Sequence, residues 1–169
     1  MVDIEDIPAE ARWNIAARAA NDMIFGYRRA FKEATKGAYE DELNEAIAAL
    51  WGQAGKQQTV VADAFDLPRG TAPEVAETFV AISKLFLGPE LAGGGVEPGE
   101  GDGAVIITTA CPMASRAQQI GLDGRVVCNA CRAYTTAAIE SLNPDYDVRT
   151  ARGICMGGDM CEMRIKRRQ

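Results

Sequence analysis

The chain has 169 residues, 24 acidic against 18 basic side chains for a net charge of −6, and no histidine. That length suits one domain with its own buried core, and 47% apolar with 25% charged residues argues against disorder. The lack of histidine excludes a Ser-His-Asp triad, a Cys–His pair and any histidine-ligated metal site.

The first half reads as helices. Pro8 suits a first helical turn after Asp6. Trp13, Ala16, Ala20, Ile24, Tyr27 and Phe31 then recur at three- and four-residue steps up to Gly37, one apolar stripe that predicts a face turned to the core. Tyr39, Leu43, Ile47 and Leu50 predict a second helix with Gly52 and Gly55 as stops, and a third covers Gln57 to Phe65 before Leu67 and Pro68. Thr71 to Glu74 forms a capping box, which opens a helix whose apolar face is Val75, Phe79, Ile82 and Phe86, ended by Gly88 and Pro89.

Residues 88–103 hold seven glycines and two prolines, a flexible connector or loose hairpin. With no Gly-x-Gly-x-x-Gly before a helix and no Gly-Lys-Ser/Thr, it is not a phosphate cradle. The period then changes. The β-branched run Ala104 to Thr109 predicts a buried strand, Met113 to Ile120 a short helix and Val126 to Leu142 a longer one. Tyr146 to Arg152 and Cys161 to Arg167 predict a hairpin around a glycine turn. The expected fold is α+β: N-terminal helices packed on a small antiparallel sheet in a single domain over 1–169, with a helical part (1–87), the connector (88–103) and a cysteine-bearing part (104–169).

No apolar run approaches the roughly 20 residues that cross a bilayer, and the start, Met1 to Asp6, is acidic where a signal peptide is basic. The expectation is a cytoplasmic protein with no membrane partner. Charge is divided: 18 acids and nine bases lie up to Gly103, six acids and nine bases after it. An acidic chain without a basic aromatic face is a poor nucleic-acid binder. The expected partner is a small-molecule ligand; composition fixes no oligomeric state.

All five cysteines, Cys111, Cys128, Cys131, Cys155 and Cys161, fall in the last 59 residues. Cys128 and Cys131 are three apart, a spacing that points both sulfurs the same way on a helix, and the hairpin turn brings Cys155 towards Cys161. Two such pairs can meet around one thiophilic ion, so these four cysteines are the expected metal ligands, for zinc or a 4Fe–4S cluster. Redox-active thiols and inert core cysteines are the competing readings. Cys111, at a strand end before a helix, reads as a nucleophile, a cluster ligand or core filler, and Arg116 could hold a substrate carboxylate. Met156, Met160 and Met163 read as packing rather than copper ligands.

Cys111-Pro112, Arg116, Gly121, Cys128, the helix end Ala138 to Pro144, and the segment Gly157 to Met163 resemble the L-2-amino-thiazoline-4-carboxylic acid hydrolase-like family. The final cysteine hairpin also resembles the 4-vinyl-reductase (hydrocarbon-binding) domain, an α/β small-ligand module. The resemblance implies a metal-dependent hydrolase acting on a small carboxylate-bearing substrate. Arg116 or Arg132 would orient the carboxylate, Asp159 or Glu162 would act as general base beside Cys111, and an open metal position would activate water. The alternative is a non-catalytic ligand- or redox-sensing module with a closed four-cysteine metal site.

Overall fold

The computed structural model describes residues 3–168. Six helices, α1 (Ala9–Thr35), α2 (Glu40–Lys56), α3 (Gln58–Ala64), α4 (Ala72–Leu87), α5 (Pro112–Gln119) and α6 (Gly124–Leu142), accompany four strands, β1 (Ala92–Pro98), β2 (Gly103–Ala110), β3 (Tyr146–Arg152) and β4 (Cys161–Arg167). All strand pairs are antiparallel, in the order β1-β2-β4-β3, so the fold is α+β as expected.

Alternation along β4 decides which side of the sheet carries the core. Met163 and Ile165 are buried against the helices, and Ile106 of β2 lies opposite Met163. These residues share one core with Val75, Phe79 and Ile82 of α4 and with Tyr134, Ala138 and Ile139 of α6. Val75, Ile82, Ile106, Ile139 and Ile165 are almost completely buried, each contributing about 1.5–3 kcal/mol relative to exposure. The α4 capping box is formed: Thr71 Oγ1 accepts from the Glu74 amide at 3.4 Å, and the Glu74 carboxylate accepts from the Thr71 amide at 3.0 Å.

Three local expectations are corrected. Gly52 and Gly55 do not stop α2, which runs on to Lys56. A Cβ on Gly55 would overlap the Tyr134 carbonyl oxygen and lie 3.0 Å from the Ala138 amide nitrogen, so this glycine lets the backbones of α2 and α6 touch. Of the two readings of residues 88–103, the hairpin holds and the flexible connector does not: residues 92–98 are an edge strand whose amides and carbonyls pair with β2 whatever their side chains. Third, the α1 stripe faces outward: Ile24, Tyr27 and Phe31 are exposed, whereas Ala17, Asn21, Phe25 and Arg28, about a quarter-turn around the helix, are buried. The apolar period was read correctly as helical; of that stripe, Trp13 Nε1 donates to the Leu85 carbonyl and Ile24 borders a cavity between the helices and the sheet, while Tyr27 and Phe31 stay exposed.

Candidate functional site: an apolar cavity ringed by thiols

A partly open cavity of ≈ 160 Å³ lies between the helices and the sheet. Every helix except α3 and all four strands contribute to its wall. Phe25, Trp51, Phe79, Leu87, Ile106 and Val127 make it predominantly apolar. Trp51 meets Tyr134 edge-on, with ring centroids 5.7 Å apart, and this pair joins α2 to α6. Behind it, Gln58 Nε2 donates to Tyr134 Oη at 2.6 Å and to Ser83 Oγ at 3.1 Å, which fixes the buried ends of α3, α4 and α6 relative to one another.

All five cysteines reach this cavity. Cys128 and Cys131 come from successive turns of α6, Cys111 from the end of β2, Cys161 from the start of β4 and Cys155 from the β3–β4 connection. That connection is held close to α6 at Gly124, where a Cβ would overlap the Cys155 carbonyl oxygen. The Ile154 amide donates to Cys161 Sγ at 3.3 Å, and Cys131 Sγ lies 3.8 Å from Thr135 Oγ1. A Cβ on Gly153 would sit 3.7 Å from both Cys128 Sγ and Cys155 Sγ.

Electrostatically these are thiols in an apolar wall. Loss of solvation is the main effect on Cys111, Cys131, Cys155 and Cys161, and it pushes all four thiols up. Cys131 is pushed up to about 12, with Cys111 as the next contributor. Cys131 is exposed by surface area and lines the cavity. At neutral pH these four groups are protonated and weakly nucleophilic.

The cysteine-ligated metal or iron–sulfur function is thereby corrected. Among the described residues, no group of three or more Cys, Asp or Glu side chains is placed to hold a metal ion. Cys128, Cys131, Cys155 and Cys161 line one cavity, with Cys128 and Cys155 close to each other, but among the described residues no three of them are placed to share an ion. The spacing of three on α6 orients two side chains; it does not set the distance to a hairpin on another element.

The other site residues fall in different places. Arg116 is buried and does not line the cavity; its Nε lies 3.3 Å from Asp22 and its Nη2 3.5 Å from Glu90, so it ties α1 and the α4–β1 connection to α5. Glu162 occupies the sheet face away from Met163, between Arg152 at 3.5 Å and Arg164 at 2.6 Å. Asp159 is exposed in the β3–β4 connection. Arg132 does line the cavity, and its Nη2 lies 3.8 Å from Met156 Sδ. Arg28, by contrast, lines the cavity although its place in the α1 period looks like ordinary solvated charge.

No family model matches the chain, and no curated protein matches it. Among solved structures it is similar to trafficking protein particle complex subunit 3 from Naegleria fowleri, crystallised covalently bound to palmitic acid. The TM-score is 0.58 at 14% identity, over 90% of this chain and 97% of that one. The likeness is one of fold. It corrects the resemblance to the amino-thiazoline hydrolase-like family and to the 4-vinyl-reductase domain: neither is matched, and the structural neighbour is a trafficking-complex subunit. The hydrolase function implied by that resemblance falls with it. Among the described residues, no helix is long and apolar enough to cross a membrane.

Proposed function

We propose that this chain is a non-enzymatic module that holds an aliphatic chain in the cavity between its helices and sheet. The observation that carries this is the cavity itself: a space walled by Phe25, Trp51, Phe79 and Val127 and left open on one side. Apolar voids of this size, about 150 Å³, take up benzene-sized guests. The enclosed part therefore suits a segment of an alkyl chain, with the remainder at the open mouth. The structural neighbour, which carries palmitic acid, supports the same ligand class.

Titration calorimetry with a series of fatty acids of increasing length tests the reading. Affinity should rise with each methylene, by up to about 0.8 kcal/mol, until the wall is filled. Cys131→Phe, which adds bulk at the cavity wall, should weaken binding while Cys131→Ala retains it. Equal, weak binding at all lengths, insensitive to Cys131→Phe, would refute the proposal.

A second reading concerns partners. The neighbour is a subunit of a complex, and Ile15, Met23, Tyr27 and Phe31 of α1 are exposed at 62%, 59%, 72% and 41%. Such a surface favours membership of a protein assembly through α1. Tyr27→Glu with Phe31→Glu should leave fold and ligand binding intact and lower concentration-dependent association measured by light scattering. Unchanged association would remove α1 from the reading.

A further inference from the structure

We propose that Arg28 is the anion-binding residue of the cavity and that its ligand is the free carboxylate of an aliphatic acid. The inference rests on the aliphatic-chain reading above and adds the head group to it.

Arg28 stands on α1 beside Phe25, both of them in the cavity wall, and only 6% of its surface is exposed. Among the described residues, neither its Nε nor its Nη1 has a hydrogen-bond partner, although both atoms are buried. Folded proteins seldom leave buried donors unmet, because such groups lose water without replacement. A charged donor loses more. Burial accordingly pulls the Arg28 pKa down, with Glu40 opposing it, but an arginine stays charged at any ordinary pH.

Glu40 does not satisfy the group. Its carboxylate lies 2.6 Å from Lys32 Nζ, so it lends Arg28 a distant field and no hydrogen bond. The wall near Arg28 therefore combines an unmet guanidinium with the apolar side chains of Ile24, Phe25 and Trp51. A molecule matching both has an anionic head and an alkyl tail.

Charge count selects the head. Of the cations in the wall, Lys84 and Arg132 are exposed to solvent, whereas Arg28 is buried with unmet donors; one buried guanidinium balances a single negative charge, whereas a phosphate monoester carries nearly two and would leave excess charge in a poorly solvated place. A carboxylate also accepts charge-assisted hydrogen bonds from the planar fork of arginine. An acyl group tied to sulfur as a thioester has no charge and would leave Arg28 unmet. The cavity thiols, desolvated and protonated, are poor nucleophiles for such a link. The ligand thus differs from the covalently bound palmitic acid of the structural neighbour in keeping its acid free.

The full chain is titrated calorimetrically with dodecanoate and with 1-dodecanol, which shares the tail and lacks the charge. The wild type should bind dodecanoate about tenfold or more tighter than the alcohol. Arg28→Met should lose the preference, binding acid and alcohol with similar affinity; Arg28→Lys should keep part of it. Intact mass after denaturation should show no adduct. Equal affinity of the wild type for acid and alcohol, a preference that survives Arg28→Met, or a covalent acyl adduct each overturns the assignment. The first two leave the aliphatic-chain reading standing; failure of the wild type to bind either compound overturns both. The wild-type comparison decides the matter even where a variant does not fold.

Discussion

The backbone contact between α2 and α6 offers the sharpest test of how this structure holds its cavity. Replacing a helical glycine by alanine ordinarily gains about 0.5–1 kcal/mol, because glycine loses more chain entropy on folding. At Gly52 that gain should appear, since the nearest atom to an added Cβ is the Ala133 carbonyl oxygen at 3.9 Å. At Gly55, one turn further along α2, the same methyl would overlap the Tyr134 carbonyl oxygen and lie 3.1 Å from its carbon. Both are backbone atoms and cannot turn aside, so the helices must separate, at an overpacking cost of about 1–3 kcal/mol. The intrinsic gain cancels between the two variants, and Gly55→Ala should be less stable than Gly52→Ala by about that amount. With a urea m-value of about 2 kcal/mol/M, the midpoints should differ by about 0.5–1.5 M. Because Trp51 and Val127 line the cavity from these two helices, Gly55→Ala should also weaken dodecanoate binding, and Gly52→Ala should not. Urea midpoints that coincide would refute the close-contact reasoning.

Other substitutions and conditions test separate parts of the structure. Thr71→Ala removes the acceptor for the Glu74 amide and should cost about 0.5–2 kcal/mol in urea unfolding; no change would mean that the cap contributes nothing. Arg116→Ala loses the pairs to Asp22 and Glu90; since both acids reach solvent, the loss should be about 1–3 kcal/mol, below that of stranding a buried charge, and a neutral result would show that α1 is held by other contacts. The Cys131 thiol is pushed up to about 12 in the folded chain, against about 8.5 in an unfolded one. In that window the unfolded chain releases the proton first, so stability is full below about pH 8.5 and falls as pH rises towards 12. Unfolding free energies between pH 8 and 11 should decline, and less steeply in Cys131→Ala; identical slopes would place this thiol in water.

Much of the secondary structure was legible locally. The Thr71–Glu74 capping box, the β-branched run of β2 and the alternation of Cys161, Met163 and Ile165 are short-range signals, and each marks an element that forms. The five cysteines of the C-terminal third all border one cavity, but the metal-binding cluster expected of them does not form among the described residues. Their chemistry was not legible, because ligation depends on distances of a few ångströms between α6 and the β3–β4 connection, and spacing within either element does not encode them.

Composition and period alone therefore determined an α+β chain with helices first, a small antiparallel sheet after, and thiols gathered in its last third. Tertiary structure alone decided that Gly55 is a contact instead of a stop, that the α1 stripe faces outward, and that Arg28 is a buried cation without a partner among the described residues. Periodicity tells which residues share a face of a helix, but not whether another element lies against it. That depends on packing between segments far apart in the chain, and the cavity exists only where those segments fail to fill the space between them.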